Sequence, residues 1–182
     1  MSGNVALAGM MGVGKTTIGR ALAGRLGRRL VDTDEEIVTW TGQDIPAIFA
    51  ERGETGFRVL EREVVRRLSE LDDLVIALGG GVVLSDDNVA DLTLTGVIVG
   101  LTAPLDVLVE RLEGFADRPL LDGDLPGRLE QLLGERADVY AAASDVTIDA
   151  ARSPDDVVED ILVWLRERPT VLTPSEFEAI LP

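Results

Sequence analysis

The chain has 182 residues, of which 46 % are hydrophobic and 27 % charged, a balance that predicts one soluble globular domain. It contains no cysteine and no histidine, which excludes disulfides, thiolate metal sites, cysteine nucleophiles and any imidazole base or ligand. The formal net charge of −16 disfavours nucleic acid and anionic membranes as partners, and no apolar run approaches the ~20 residues of a membrane-spanning helix.

The N-terminal part of the chain alternates between strand and helix patterns. Residues 5–8 predict a short buried strand that runs into a glycine-rich loop, and a helix with apolar positions at Ile18 and Leu22 follows up to Gly27. Residues 30–31 predict a second strand that ends in carboxylates. Residues 35–52 look helical with interruptions at Gly42 and Pro46, and residues 54–71 carry the clearest apolar helical stripe.

The rest of the chain repeats this alternation. Residues 74–78 and 97–101 are continuous apolar runs typical of central parallel strands, and residues 146–148 are a weaker third case. Helical patterns lie near residues 104–113, 125–143 and 154–166. Strands that alternate with helices predict an α/β fold, with a parallel sheet covered on both faces. For the proline-containing tail after Arg168 we expect an extended or loosely docked segment.

A phosphate-binding loop is predicted at residues 9–16, where GMMGVGKT matches G-x-x-x-x-G-K-[ST] between a strand and a helix. Glycines let successive N–H groups face phosphate oxygens, and the helix N-terminus adds partial positive charge. Lys15 is the only lysine among 17 cationic residues, and a compact ammonium can reach phosphates where a planar guanidinium fits poorly. The alternative is a glycine-rich turn that happens to precede a helix. The residues predicted to bind ATP here are Gly12, Val13, Gly14, Lys15, Thr16 and Thr17.

Two carboxylates, Asp32 and Asp34, follow the second predicted strand. The carboxyl ends of strands in an open parallel sheet face the ligand crevice. One aspartate could therefore stand near a metal ion and the other near an acceptor hydroxyl. The alternative is that the pair caps the helix that follows, and the pattern alone does not separate the two interpretations.

Two arginines also suggest a ligand site. Arg58 lies three residues before Glu61 on one helix face, so the acid could orient the guanidinium; the alternative is a solvated surface pair. Arg136 interrupts an apolar helical stripe that includes Leu132 and Tyr140. Such an arginine either extends along the apolar surface to solvent or points into a ligand cleft.

In this order, the segments GMMGVGKTTIGR, VDTD, GETGFRVLE, ALGGGVV, DRPLL and ERADVYAAA resemble bacterial shikimate kinases over about residues 4–166. Shikimate kinases transfer the γ-phosphate of Mg-ATP to the 3-hydroxyl of shikimate, in the pathway to aromatic amino acids. The resemblance implies a three-layer α/β/α P-loop NTPase fold of the nucleoside monophosphate kinase type, with a five-stranded parallel sheet. It implies one domain over residues 1–168, with a substrate-binding region at about 33–61, a lid at about 112–124, and an extension at 169–182.

The resemblance also implies an ATP and Mg²⁺ site. Lys15 would contact the ATP phosphates, and Thr16 would bind Mg²⁺ with the help of Asp32. Arg111 and Pro154 would flank the adenine ring. The expected partners are therefore ATP, Mg²⁺ and the small molecule shikimate, bound by a cytoplasmic monomer that engages neither nucleic acid nor membrane.

The shikimate site implied by the resemblance consists of Asp34, Arg58, Glu61, Gly80, Gly81 and Arg136. Asp34 would hold and deprotonate the acceptor hydroxyl. The two arginines would clamp the shikimate carboxylate beside the Gly80 amide, and Glu61 would orient Arg58. Arg118, on the lid, would move towards the transferring phosphoryl group.

Two rival classes of function are open at this stage. Another small-molecule P-loop kinase, such as a gluconate kinase or a nucleoside monophosphate kinase, would share the phosphate loop but would not explain VDTD, FR-x-x-E and GGG together. A non-catalytic nucleotide-binding module would keep the fold, but Asp34 or Arg118 would be expected to be lost. Both residues are present.

Overall fold

The computed structural model describes residues 2–113 and 124–181. The strands are β1 (Asn4–Gly9), β2 (Arg29–Asp32), β3 (Leu74–Ala77), β4 (Gly96–Thr102) and β5 (Val146–Asp149). The helices of the described residues are α1 (Lys15–Leu26), α2 (Thr33–Thr41), α3 (Ile45–Ser69), α4 (Asp86–Thr95), α5 (Leu105–Leu112), α6 (Leu125–Ala143), α7 (Pro154–Arg166) and α8 (Pro174–Ala179). None of them is long and apolar enough to cross a membrane.

The five strands form one parallel sheet in the order β2-β3-β1-β4-β5, which confirms the predicted fold class. Every residue of β1 is buried, as the continuous apolar run requires of a central strand. Helices α1 and α7 pack together beside the sheet, whereas α4 and α6 pack against β4. The chain leaves β1 between β3 and β4, where the strand order reverses, and an open parallel sheet binds its ligands at such a point.

The helices between β2 and β3 differ from the prediction in one respect. Helix α2 ends at Gly42, as expected, but Pro46 does not interrupt a helix. It lies in the first turn of α3, which Asp44 caps by accepting a hydrogen bond from the Ala47 N–H at 2.7 Å. Proline is tolerated in that turn because its missing N–H would have no partner inside the helix. A kink at Gly53 separates this first part from the predicted helix over 54–71.

The expectation of an extended or loosely docked tail was wrong. Helix α8 begins with a capping box between Thr173 and Glu176, and three apolar tail residues are buried: Val171, Leu172 and Ile180. Arg28 anchors the segment, because its buried guanidinium donates to the Glu176 carboxylate at 2.6 and 2.9 Å. The same group donates to the carbonyls of Gly3 and Val171, both at 2.7 Å. The tail is therefore attached to the amino end of the sheet.

Candidate active site

The predicted phosphate loop connects β1 directly to α1. Gly14 adopts a φ of 105°, a conformation that side-chain-bearing residues rarely reach, and helix α1 begins at the next residue, Lys15. The Lys15 Nζ donates to the carbonyls of Gly9 at 2.8 Å and Met10 at 3.1 Å. The loop itself thus holds the ammonium over the helix N-terminus, where an anion is favoured.

Asp32 both caps the helix that follows and contacts the phosphate loop. Its Oδ1 caps α2 by accepting the Asp34 N–H at 3.0 Å, and its Oδ2 accepts the Thr16 hydroxyl at 2.8 Å. The cap therefore aims the carboxylate at the phosphate loop. Asp34 follows in the first turn of α2 and lines the same cleft.

Thr33, between the two aspartates, is a site residue that sequence reasoning missed. Its side chain is fully buried, and its hydroxyl accepts the Gly79 N–H at 2.7 Å. This bond joins the start of α2 to the glycine segment after β3. In the sequence, this role was indicated only by a threonine between two acids at the end of a predicted strand, where its side chain is expected on the opposite face from theirs.

Arg58 and Glu61 form the predicted ion pair on α3. The Arg58 Nη1 donates to both Glu61 carboxylate oxygens at 2.9 Å, and Nη2 donates to Glu54 at 3.2 Å. Burial raises the pKa of Glu61, and Arg58 opposes this rise only in part. Burial alone would lower the pKa of Arg58, but Glu61 and Glu54 outweigh it and the net change is upward. The two residues form an ion pair at neutral pH, because a guanidinium stays protonated and makes two hydrogen bonds to the acid.

The peptide between Gly80 and Gly81 brings the two predicted clamp arginines together. A Cβ added at Gly81 would lie 2.0 Å from the Arg58 Nη1, so the guanidinium packs directly on this glycine. From α6, Arg136 Nη1 donates to the Gly80 carbonyl at 3.4 Å. The Tyr140 hydroxyl donates to the same oxygen at 2.6 Å. Sequence reasoning treated Tyr140 only as part of an apolar stripe, although its position one turn after Arg136 placed both on one helix face.

Arg111 lies on the opposite side of the phosphate loop. Its Nη1 donates to the Val13 carbonyl at 2.9 Å, and its Nη2 donates to the Ala150 carbonyl at 2.8 Å. Pro154 is four residues beyond Ala150, exposed in the first turn of α7. Arg118 and residues 114–123 of the predicted lid lie outside the described residues.

One cleft of about 370 Å³ joins most of these groups. The predicted site residues that line it are Gly12, Gly14, Lys15, Thr16, Thr17, Asp32, Asp34, Gly80 and Arg111. Arg58 and Arg136 do not line it, but they contact Gly81 and Gly80, and Gly80 does line it. A larger groove of about 590 Å³ at the amino end of the sheet contains none of the predicted site residues, so we do not assign it to the reaction.

A sequence model of the shikimate kinase family matches residues 11–166. The chain belongs to that family. Shikimate kinase of Pelotomaculum thermopropionicum is 44 % identical over 165 residues, which cover 90 % of this chain and 96 % of that protein. Shikimate kinase of Symbiobacterium thermophilum is 46 % identical over 169 residues, which cover 91 % of this chain and 97 % of that protein.

Solved structures agree with this family assignment. The shikimate kinase of Acinetobacter baumannii in complex with shikimate matches with a TM-score of 0.87 and 37 % identity, over 93 % of this chain and 96 % of that one. A gluconokinase from Sinorhizobium meliloti matches with a TM-score of 0.58 at 16 % identity, over 91 % and 92 %. The second likeness shows a shared fold alone.

Proposed function

We propose that this protein catalyses the phosphorylation of shikimate at its 3-hydroxyl by ATP, giving shikimate 3-phosphate and ADP on the route to chorismate and the aromatic amino acids. The observation that carries the proposal is the continuity of one cleft. It is lined by the phosphate loop, Asp34 and Gly80, and the arginines of α6 and α3 contact Gly80 and the adjoining Gly81. A phosphoryl donor and a small carboxylate-bearing acceptor can therefore lie side by side.

The phosphate half of the cleft suits a nucleoside triphosphate. Lys15 supplies a point charge, and the first N–H groups of α1 supply hydrogen-bond donors. Phosphoryl transfer depends mainly on positioning and charge neutralisation, so fixed cations contribute directly to the rate. This local positive charge has to overcome the net charge of −16, which repels anions at long range.

The side chains of Thr16 and Asp32 fit a magnesium ion. A hydroxyl and a carboxylate oxygen 2.8 Å apart are the hard oxygen donors that Mg²⁺ prefers. The described residues contain no group of three or more acidic side chains that could enclose an ion alone. This suits Mg²⁺, which usually takes one or two protein ligands together with phosphates and water. When bound, the ion neutralises charge on the β- and γ-phosphates.

Asp34 is placed to act on the acceptor. In the proposed step it accepts the proton of the shikimate 3-hydroxyl as that oxygen bonds to the γ-phosphorus. The bond between the γ-phosphorus and the β–γ bridging oxygen breaks, and ADP leaves with the electron pair. A positioned general base of this kind typically contributes ~10²–10⁴-fold to the rate.

The two arginines suit an acceptor that carries a carboxylate. A carboxylate is recognised best by guanidinium groups, which can donate two parallel hydrogen bonds. Arg58 is held by Glu61, and Arg136 rests on the Gly80 carbonyl through a long bond of 3.4 Å that a stronger acceptor can replace. Gluconate also carries a carboxylate and a nucleoside monophosphate carries a phosphate, so the choice among these acceptors has to be measured.

The test is ADP release by the wild-type protein with shikimate, quinate, gluconate or nucleoside monophosphates as acceptor. We expect efficient turnover with shikimate and little with the others. The amide analogue of shikimate should be a poor substrate, because it lacks the charge that the arginines bind. Turnover of gluconate or a nucleoside monophosphate in preference to shikimate would refute the proposal, and an equally good amide analogue would refute the arginine clamp.

A further inference from the structure

We infer that Tyr140 is a positioning residue for substrate binding: through its hydrogen bond to Gly80 it sets the separation of the two arginines that grip the substrate carboxylate. The inference rests on the proposed function. Tyr140 would act through its neighbours, without touching the reacting atoms.

The Gly80 carbonyl accepts two hydrogen bonds of unequal length. The Tyr140 bond to this oxygen measures 2.6 Å and is shielded from water, since the tyrosine is 7 % exposed. The Arg136 bond to the same oxygen measures 3.4 Å. A carbonyl has two lone pairs and can accept both, but the shorter bond is the stronger one. Tyr140 therefore orients the peptide, whereas Arg136 keeps donors available for a ligand.

On the other side of that peptide, Gly81 lies so close to Arg58 that even a methyl group would overlap the guanidinium. Rotation of the peptide would therefore move the surface on which Arg58 rests. One hydroxyl thus couples Arg136, one turn earlier on α6, to Arg58 on α3.

Apolar packing alone does not fix the position of α6 beside Gly80. An apolar cavity of about 70 Å³ lies beside α6, lined by residues that include Tyr140, Ala137 and Leu101. Because contacts are incomplete there, apolar packing leaves the helix some tolerance for small shifts. The directional hydrogen bond removes that tolerance. Burial also raises the pKa of Tyr140, against the opposing effect of Arg136, so the hydroxyl remains a donor at neutral pH.

Tyr140→Phe tests the inference, since it removes the hydroxyl and keeps the ring. We expect the KM for shikimate to rise about tenfold, as for loss of one buried hydrogen bond, because the Gly80 carbonyl would keep only the long bond from Arg136. The KM for ATP and kcat should change less than about twofold. The preference for shikimate over its amide analogue should fall by the same factor as the KM rises, because only the carboxylate uses both arginines.

Ser69→Ala is the matched control. Ser69 is also buried, and its hydroxyl donates to the Val65 carbonyl at 2.9 Å on α3, in a turn that does not line the cleft. We expect it to leave the KM for shikimate and the amide preference unchanged, even if it lowers the melting temperature.

The outcomes separate the inference from the function on which it rests. An active wild type whose Tyr140→Phe variant keeps its shikimate KM overturns the inference alone. So does a variant in which shikimate and the amide analogue are weakened equally, since that is a general structural effect. A wild type that does not phosphorylate shikimate overturns the proposed function and the inference together.

Discussion

The contact between Gly81 and Arg58 offers a direct test of the proposed carboxylate clamp. A Cβ at position 81 would lie 2.0 Å from the Arg58 Nη1 and 2.5 Å from its Cζ. The backbone at Gly81 has φ −108° and ψ −7°, which alanine can adopt. Gly81→Ala therefore introduces no backbone strain, and the three atoms nearest to its Cβ all belong to the end of the Arg58 side chain.

The expected magnitude follows from the distance that Arg58 must move. Ordinary contact begins at 3.4 Å, so the guanidinium has to retreat by about 1.4 Å from the added methyl group. Misplacement of a binding group by ~1 Å can cost ~10²-fold. We expect the KM for shikimate to rise about 30- to 100-fold, which is ~2–3 kcal/mol. The free energy of unfolding should fall by less than ~3 kcal/mol, because the Arg58 side chain is one-third exposed and can move, although its Nη1 also donates to the buried Glu61.

The assay is steady-state ADP release at varied shikimate and saturating ATP, together with thermal unfolding of the same preparations. Gly24→Ala is the matched control, because Gly24 lies in α1 with no heavy atom within 4 Å of an added Cβ. That change should stabilise the protein by ~0.5–1 kcal/mol and leave both KM values unaltered. If Gly81→Ala keeps the wild-type KM for shikimate, Arg58 does not bind the carboxylate from this position and the reasoning is refuted.

Three further predictions concern other parts of the molecule. Lys15→Arg should nearly abolish turnover without changing the circular dichroism spectrum, because a guanidinium cannot replace the compact ammonium bound to the loop carbonyls; a variant with most of its activity would contradict this. Asp34→Asn should lower kcat by ~10²–10⁴-fold and leave the affinity for ATP, measured by calorimetry, little changed. If the variant instead loses ATP binding and keeps shikimate binding, the roles assigned to Asp32 and Asp34 are reversed. Arg28→Ala should lower the free energy of unfolding by ~3 kcal/mol in denaturant titrations, since the partly buried Glu176 carboxylate loses its charged partner and keeps only its bonds from Thr173. A loss below ~1 kcal/mol would show that the tail anchor is weak. Burial would raise the pKa of Glu176, but hydrogen bonds from Arg28 and Thr173 outweigh this effect and lower the pKa below 4.5. The stabilisation by the ion pair is therefore present above pH 4.5. The difference in unfolding free energy between wild type and Arg28→Ala should shrink as the pH falls through the lowered pKa.

The sequence by itself determined the phosphate half of the site. A strand, a glycine loop and a helix that follow one another in the chain can be recognised locally, because each is specified by neighbouring residues. The local pattern left Asp32 open between a ligand role and a helix cap, and only the family resemblance implied that it lies near Thr16, whose hydroxyl it accepts. The alternation of apolar strands and helices was enough to predict the layered parallel sheet.

Only the tertiary structure decided how the acceptor half is supported. Thr33 meets Gly79 across 46 residues, and Tyr140 meets Gly80 across 60. In the sequence, Thr33 is a polar residue between two acids, and Tyr140 belongs to an apolar stripe. The tail was mispredicted for the same reason, because its anchor joins Arg28 to Glu176 across 148 residues. A local pattern shows that a hydroxyl or guanidinium is present, but its hydrogen-bond partner depends on which distant backbone the folded chain places beside it.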